Sequence, residues 1–577
     1  MKKNLLILAL ILIVTFVFLY PVFLNINTHI AGFSSTDEPY GVIWSFWWFK
    51  TAALQKIPAN FINMIAFPFG IDTVESVPFF PLWGLLAKYL SICVNEIFAY
   101  NFLLLLTFVL TALSAYALMM ELTKNRGVSI FSALIFSFCP YHFVRVWQHF
   151  GTAQIQWIPL YIFSLIKLFS TRNIRFAFLL AFSLALNYYH DVHYAYYLFF
   201  AGLLFLICVL TAKDGLAEKI RFFKLFLLAM VIGVLLILPA LVPFLVKFLQ
   251  TKHQAVLAQS LVRPFEDLFS QSARPLSYLL PFTEQPVFGG FTKMFIGTGL
   301  WGESLTEHNV FLGFIPLSLA ILAFIKRKRI TELFPYKKKE AGFIFYFFVS
   351  LFVLGFIFSQ PPWWDIFGFK LYMPSFVFYK IVPMFRAYVR WAIIVMLSVS
   401  VLAGFGLLYL VSSLKQNRAK AALIAAFTIF SLWEFWSNPG EHVIDLSRTP
   451  LVYDWLSEQP GDFVIAEYPL DTGGANETYK FYQIRHKKKI INGTLPGTLA
   501  NTFARKMTRL AEPETILLLR RMGVKYVVVH PAEYENTGIM EELEALSNIR
   551  KSRELRSVKT CSEAEVYEIA PILRKGL

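Results

Sequence analysis

The sequence has little charge, few cysteines and none of the short catalytic motifs typical of common soluble enzymes. Charged residues make up 16% of its 577 residues, against about 25% in an ordinary soluble domain. The four cysteines show no CxxC or Cys/His spacing, so neither a disulfide framework nor a structural zinc site is predicted. Walker A, HExxH and Gly-x-Ser-x-Gly motifs are also missing. These absences argue against a disordered chain and against an ordinary soluble enzyme.

Apolar and aromatic residues in long runs take the place of the missing charge. Hydrophobic residues make up 57% of the chain, with 61 phenylalanines among them, and the mean hydropathy is +0.57. Long apolar runs predict membrane-spanning helices. We predict about eleven transmembrane helices, at residues 4–24, 97–120, 127–142, 154–169, 174–190, 193–212, 225–246, 309–325, 341–359, 391–411 and 421–437.

Two apolar runs need a choice between alternatives. The first follows Lys2 and Lys3 but has no small-residue cleavage site after it, so it predicts a retained helix rather than a cleaved signal peptide. The run at 76–94 contains two prolines and carries Lys88 near its centre. A central lysine is costly in a bilayer, and proline breaks helices. This second run is therefore predicted to lie in the membrane interface.

The distribution of the net charge of +16 predicts how the chain crosses the cytoplasmic membrane. If the N-terminus is cytoplasmic, alternate turns carry clusters of Lys and Arg while the loops between them carry few, which is the positive-inside pattern. The clusters are Lys124 and Arg126; Lys167, Arg172 and Arg175; Lys213, Lys219, Arg221 and Lys224; Lys326 to Arg329 with Lys337 to Lys339; and Lys415, Arg418 and Lys420. The loops 25–96, 247–308 and 360–390 then face outward. The basic balance is a topology signal, so nucleic acid is not predicted as a partner.

The chain is predicted to have two domains, a transmembrane domain at 1–437 and an extracytoplasmic domain at 438–577. The boundary follows Ser437-Asn-Pro-Gly, a composition typical of linkers. The tail has mixed helix and strand signals, with strands expected at Phe463–Tyr468, Lys489–Asn492, Tyr526–His530 and Val566–Ile569. The predicted fold class is a multi-span α-helical membrane protein with a C-terminal soluble α/β domain.

Adjacent carboxylates occur shortly after the first span, at Asp37 and Glu38 within residues 34–40. Such a pair can accept a proton or hold a divalent ion. The alternative is helix capping, with Asp37 or Thr36 as the N-cap and Pro39 in the first turn. A capping residue can also act in a site, so the two interpretations are compatible.

Three tryptophans follow on one face of the same predicted helix. Trp44, Trp47 and Trp48 are spaced i, i+3 and i+4. They form either a platform for a lipid or sugar or an aromatic belt that anchors an interfacial helix. The belt is the commoner role for such residues at a membrane surface, and we predict it here.

A second polar group lies at the outer junction of two predicted spans. His190, Asp191 and His193 place three ionisable side chains in four residues, which predicts a metal or phosphate site. The alternative is a solvated turn. In the neighbouring outer loop, Arg145 and His149 share a predicted helix face with His142 and are secondary candidates.

A third polar group opens a span from the outer side. Arg386 and Arg390 are spaced i, i+4, so a helix would place both guanidinium groups on one face, where they could clamp a phosphate. The alternative is that both arginines extend towards the interface as ordinary flanking residues.

The acidic pair at Asp37 and Glu38 resembles the first outer loop of the GT-C superfamily of membrane glycosyltransferases, notably protein mannosyltransferases and lipid A aminoarabinose transferases. The predicted architecture, an acidic first outer loop with interfacial helices followed by many spans, is also similar. The chain resembles more closely a group of bacterial and archaeal GT-C-like proteins. The matching stretches are Ile43–Trp48, Phe138–His142, Ser272–Pro281, Glu307–Gly313, Phe385–Arg390 and Met522–His530.

The resemblance implies an enzyme of the cell envelope that transfers a sugar, with inversion, from a polyprenyl-phosphate donor to an outer acceptor, either a lipid, a glycan or a protein. It also implies that Asp37, with Glu38 beside it, is the catalytic base or a metal contact. We further hypothesise that Arg386 and Arg390 bind the donor phosphate. The group at residues 190–193 would bind a divalent cation, Mg or Mn, or orient the acceptor.

Two other functions stay open from the sequence. A transporter or lipid flippase is favoured by Pro239 and Pro243, which are predicted to break one helix, but no inverted repeat is evident. A non-catalytic scaffold of GT-C shape, with the tail as an interaction module, is the third function.

Overall fold

The structure is a computed structural model that describes residues 2–33, 37–72, 81–211, 215–251, 262–470, 475–495, 498–537 and 539–569. The chain forms two compact units. The helical unit comprises Met1–Leu24, Asn101–Val242 and Leu261–Val443, and the sheet unit comprises Asn25–Tyr100, Pro243–Ser260 and Ile444–Leu577. The first outer loop thus belongs to the unit that contains the tail, a grouping that the sequence did not predict.

Helices dominate the chain, and short strands are confined to a few places. The helices are α1 (Lys2–Leu24), α2 (Glu38–Gln55), α3 (Pro81–Cys93), α4 (Glu96–Thr123), α5 (Arg126–Ser137), α6 (Pro140–Gln148), α7 (Trp157–Thr171), α8 (Ile174–His190), α9 (Val192–Thr211), α10 (Leu216–Thr251), α11 (Asp267–Ser270), α12 (Gly289–Lys293), α13 (Phe314–Ile325), α14 (Arg327–Thr331), α15 (Lys338–Phe358), α16 (Pro374–Ile381), α17 (Ala392–Ser412), α18 (Asn417–Glu434), α19 (Leu451–Glu458), α20 (Ala475–His486), α21 (Leu499–Lys506), α22 (Pro513–Arg521), α23 (Pro531–Glu535) and α24 (Met540–Lys551). The strands are β1 (His29–Ala31), β2 (Phe61–Ile62), β3 (Ile71–Asp72), β4 (Trp363–Ile366), β5 (Phe369–Tyr372), β6 (Val443–Asp445), β7 (Val464–Tyr468), β8 (Lys489–Ile490), β9 (Val524–Val529), β10 (Leu555–Thr560) and β11 (Glu565–Ile569).

The chain is a multi-pass membrane protein. Within the described ranges, seven helices are long and apolar enough to cross a membrane, or eight if α5 and α6, which meet at 42°, form one span. This is fewer than the eleven expected. The predicted spans at 154–169, 174–190 and 309–325 form the shorter helices α7, α8 and α13. α13 begins late because Gly313, at φ 82°, turns the chain just before it.

α17 lies at the centre of the helical unit. In the 18-residue apolar stretch of the span Tyr388–Ser412, 89% of the residues are buried, and α17 packs against α13, α15 and α5. Gly406 permits the close approach of α13, since a Cβ there would lie 2.1 Å from the Leu319 carbonyl oxygen. By contrast, the spans Leu216–Pro243 and Asn417–Glu441 are only 22% and 17% buried. Their exposed apolar surface suits contact with lipid.

α10 is one helix from Leu216 to Thr251 and contains both Pro239 and Pro243. The prediction that these prolines break it is therefore wrong. Membrane helices tolerate proline because neighbouring groups and small backbone adjustments satisfy the freed carbonyls. The sequence argument for a transporter loses its main support.

A five-stranded sheet forms the core of the sheet unit, in the order β10-β11-β9-β7-β8. β7 runs parallel to β8 and β9, while β11 is antiparallel to β9 and β10. The four strands predicted in the tail match β7, β8, β9 and β11 within two residues at each end. β10 was not predicted, because polar residues, including the exposed Arg556 and Lys559, weaken its strand signal.

α2 packs in the core of the sheet unit. Trp44, Trp47 and Trp48 are 3%, 6% and 2% exposed and share a buried cluster with sheet residues such as Ile465 and Val528. The prediction of an aromatic belt in the membrane interface is wrong, since these side chains cover one face of the sheet. The run at 76–94 contains α3, and its residues 76–80 lie outside the described residues.

Candidate functional site

Asp37 lies at the N-cap of α2, as one of the sequence alternatives required. Its side chain nevertheless accepts no capping hydrogen bond, although Pro39 occupies the first turn. Burial raises the pKa of the Asp37 carboxyl, and the negative charges of Glu477 and Glu533 raise it further. A carboxylate whose pKa is raised is a better proton acceptor near neutral pH. The preceding residues 34–36 lie outside the described residues.

Glu477, on α20 in the tail, rests against the first turn of α2. A Cβ added at Gly41 would lie 1.7 Å from Glu477 Oε2, so the carboxylate contacts the α2 backbone four residues after Asp37. Lys480 Nζ pairs with Glu477 Oε1 at 2.6 Å. Glu38 is exposed in the first turn of α2, where a negative charge is favourable. The tail thus supplies two carboxylates, Glu477 and Glu533, that act on Asp37, and the sequence predicted neither.

The carboxyl ends of the parallel strands gather a second set of polar groups in the sheet unit. Glu467, in β7, is fully buried. Its Oε2 accepts hydrogen bonds from the Tyr453 hydroxyl at 2.7 Å and from His530 Nε2 at 2.9 Å. The side chain of Asn492 bonds both the N–H and the C=O of Glu467, at 2.9 and 2.8 Å. Ligands of open parallel sheets commonly bind at this edge.

A buried ion network organises the outer-loop candidates of the helical unit. Arg145, from α6, is 1% exposed. Its two terminal nitrogens, Nη1 and Nη2, donate to the carboxylate oxygens of Glu307 at 2.9 and 2.5 Å. Arg390 Nη2 binds the same carboxylate at 2.8 Å. Burial on its own would raise the pKa of Glu307, but the two guanidinium groups outweigh it and hold that pKa well below the usual range. His149 Nε2 lies 4.0 Å from the same carboxylate.

Asp191 extends this network. It caps α9 by accepting the backbone N–H of His193 at 2.8 Å, and the His193 ring Nδ1 lies 2.7 Å from the same oxygen. Arg390 Nη1 lies 3.7 Å from Asp191 Oδ2. Burial would raise the pKa of Asp191, but His193 and Arg390 lower it to about 2. Three predicted residues, Arg145, His149 and Arg390, therefore lie against Glu307, and Asp191 and His193 join them through Arg390. Glu307 itself was not predicted.

His190 and Arg386 make contacts outside the Glu307 group. The His190 ring stacks on Trp157, with centroids 6.4 Å apart. Arg386 pairs with Asp267 at 3.0 Å and precedes the 3₁₀ turn Tyr388–Trp391. The prediction that Arg386 and Arg390 share a helix face is therefore wrong, because the helix α17 starts only at Ala392.

A divalent cation does not fit these residues. Within the described parts of the chain, no group of three or more His, Cys, Asp or Glu side chains is arranged to hold a metal ion. Asp191 is already engaged by His193 and Arg390, and a neighbouring guanidinium disfavours a bound cation.

Comparison with known proteins identifies the fold. No protein-family model matches the sequence, and no curated protein matches it by sequence. The apo crystal structure of the Archaeoglobus fulgidus oligosaccharyltransferase matches 92% of this chain and 70% of its own, with 11% identity and a TM-score of 0.53. The same enzyme with an inhibitory peptide and a dolichol-phosphate matches 99% of this chain and 75% of its own, with 11% identity and a TM-score of 0.52.

A second type of enzyme has the same fold. The cryo-EM structure of the arabinofuranosyltransferase AftD from Mycobacteria matches 99% of this chain, with 13% identity and a TM-score of 0.55. This chain covers 40% of the length of AftD. Both neighbours are GT-C superfamily membrane glycosyltransferases. The chain therefore has a GT-C-like fold, as the resemblance of its first outer loop implied.

The residues missed by sequence reasoning left weak signals. Glu307 lies three residues before an apolar run that begins at Val310, and Glu467 is a lone acid inside the apolar strand β7. An unpaired charge in an apolar context requires a partner. That signal indicates importance, but it does not identify Arg145, Arg390 or His530 as the partners.

Proposed function

We propose that this protein is a membrane glycosyltransferase that moves a sugar from a polyprenyl-phosphate donor to an extracytoplasmic acceptor. The observation that carries the proposal is Asp37, a partly buried carboxylate that makes no capping hydrogen bond and whose pKa is raised. It stands in a chain with the fold of two types of GT-C glycosyltransferase.

The chemistry needs one proton acceptor. The acceptor hydroxyl attacks the anomeric carbon, the bond from that carbon to the phosphate oxygen breaks, and polyprenyl phosphate leaves with the bonding electrons. The hydroxyl proton passes to Asp37. Attack from the face opposite the leaving group inverts the anomeric configuration. Glu38 is exposed in the same turn, and we assign it to the proton-transfer step as the carboxylate beside Asp37.

The departing phosphate needs a cationic partner. We assign this role to Arg386 and Arg390. Arg386 is 46% exposed, and its pair with Asp267 is of a kind worth about 0–1 kcal/mol, so a phosphate can replace it. Arg390 is held by Glu307, the carboxylate that Arg145 also binds, and keeps 16% of its side chain exposed. His193 and Asp191 are assigned to orienting the acceptor.

The lipid-linked donor is supported by what the neighbours bind. One structure of the archaeal enzyme is a complex with a dolichol-phosphate and an inhibitory peptide, and another is tethered to an acceptor peptide. A further structure of that enzyme contains Zn and sulfate. For this protein we propose a donor of the same lipid-phosphate class. The proposed acceptor is a lipid, glycan or protein that carries a hydroxyl group.

The test is sugar transfer in membranes. Membranes holding the wild type, Asp37→Ala or Asp462→Ala receive a radiolabelled polyprenyl-phosphate sugar, and label is measured in the acceptor fraction. Removing a general base typically costs about 10²- to 10⁴-fold, so Asp37→Ala should lose transfer. Asp462 is 72% exposed and pairs with Lys489 at the surface, so Asp462→Ala should keep transfer. Full transfer by a well-folded Asp37→Ala protein would contradict the assignment.

A further inference from the structure

A basic cleft lies at one end of the helical unit, away from the groups assigned to transfer. Its volume is about 550 Å³, and its lining includes Arg172, Arg221 and Lys224. These cations come from two separate places in the chain, the turn between α7 and α8 and the first turns of α10. The fold thus brings together charges that are about fifty residues apart in the sequence.

Arg172 is fixed in this cleft. It ends α7 in the left-handed conformation, at φ 53°. Its guanidinium lies over the rings of Phe169 and Phe222, at 4.8 and 5.3 Å, a cation–π arrangement that holds it in place. Glu218 Oε2 lies 3.5 Å from Arg172 Nε and offsets part of its charge.

Arg221 and Lys224 add an excess of positive charge. They are three residues apart on α10, hence on one helix face, and both are exposed. No acidic residue in the described part of the chain forms an ion pair with either. Within the described residues, these three cations therefore have one carboxylate beside them, that of Glu218. An anion or solvent must balance the remaining positive charge.

Apolar side chains also line the cleft. They are Ile174, at the start of α8 and 47% exposed, and Leu225 on α10. The exposed side chains Phe178 and Leu227 lie further along the same two helices. α10 belongs to one of the least buried spans, at 22%. A ligand that fits both surfaces has a phosphate for the cations and acyl chains for the helix faces.

We propose that this cleft binds the phosphate headgroup of an anionic phospholipid. Basic pockets between membrane helices are suited to such headgroups. The apolar walls favour a lipid over a soluble phosphate, because a free phosphate gains nothing from them. The site is distinct from the residues assigned to sugar transfer.

The test is lipid binding by the purified full-length protein in detergent. Short-chain phosphatidylglycerol is titrated and the shift of the thermal midpoint gives an apparent Kd. Phosphatidylcholine of the same chain length and sn-glycerol 1-phosphate form the two comparison arms. The variant is Arg221→Gln/Lys224→Gln, and the control is Lys415→Gln/Arg418→Gln, which removes the same charges from another turn.

We expect phosphatidylglycerol to bind more tightly than either comparison ligand. At about 1 kcal/mol per basic residue, the Arg221→Gln/Lys224→Gln variant should weaken it about 30-fold, while the control changes it less than about threefold. Equal weakening by both variants would show diffuse surface charge and overturn the proposal. Equal binding of sn-glycerol 1-phosphate would show a soluble-phosphate site, and equal binding of phosphatidylcholine would show no headgroup selectivity; either result overturns the proposal.

Discussion

Asp37 differs from an ordinary helix cap because its side chain makes no capping hydrogen bond and its pKa is raised. Burial raises its pKa first, and the carboxylates of Glu477 and Glu533 add to that rise. A base acts only when deprotonated, so transfer should increase with pH through the raised pKa of Asp37. The acid limb of the pH–rate profile should therefore follow the ionisation of Asp37.

Replacing Glu477 by glutamine should shift that acid limb to lower pH. The substitution removes one negative charge that raises the pKa of Asp37, so the base stays ionised in more acidic solution. The measurement is the rate of sugar transfer across pH for the wild type, Glu477→Gln and the control Glu535→Gln. An unshifted limb in Glu477→Gln, or an equal shift in the control, would show that Glu477 does not act on the base.

Glu307 should be a major determinant of stability in the helical unit. It neutralises Arg145 and Arg390 in a buried setting, and breaking a buried pair costs about 3–5 kcal/mol because a charge is left without its partner. Glu307→Gln should therefore lower the free energy of unfolding by about that amount. Asp267→Asn, which breaks the exposed pair with Arg386, should cost about 0–1 kcal/mol. Similar losses in thermal or denaturant unfolding would contradict this account.

At the scale of elements, α2 is the clearest case where sequence pattern and structure diverge. The spacing of Trp44, Trp47 and Trp48 correctly predicts a single helix face. The same spacing suits a membrane belt and a protein core equally, and only the apolar face of the sheet decides between them. Local periodicity could not reveal that surface, because its strands lie more than 400 residues further along the chain.

The core role of α2 gives a stability prediction. Trp48 is 2% exposed, and its Nε1 donates to the Ala59 carbonyl at 3.1 Å. Trp48→Ala should destabilise the sheet unit by about 3–5 kcal/mol through the cavity it leaves. The control is Trp433→Ala on α18, which is 45% exposed. Equal unfolding midpoints for the two variants in detergent would restore the belt interpretation.

The strands of the tail were predictable, while the groups around the candidate sites were not. Runs such as β7 and β9 carry a strong strand signal because they are apolar and β-branched. The partners of Glu307 and Glu467 come from other elements, and one sequence contains no record of such long-range pairs. The prediction that Arg386 and Arg390 share a helix face was wrong for a local reason. It placed both residues in a helix, but α17 begins only at Ala392.

At the scale of the whole molecule, the charge pattern predicts the orientation in the membrane. The Lys and Arg clusters should be cytoplasmic and the tail external. On a cysteine-free background, Asn536→Cys should react with a membrane-impermeant maleimide in intact cells. Lys328→Cys should react only after permeabilisation. The reverse labelling pattern would invert the orientation and place Asp37 on the cytoplasmic side.

Sugar transfer from a polyprenyl-phosphate donor is the activity that we propose for this protein with its GT-C-like fold. The most direct measurement incubates the purified protein in liposomes with lipid-linked sugars and an acceptor fraction extracted from its source membranes, and follows the donor lipids by mass spectrometry. The wild type should convert polyprenyl-phosphate sugar to polyprenyl phosphate, and Asp37→Asn should not. Unchanged donor with the wild type, or equal conversion by both proteins, would contradict the proposal.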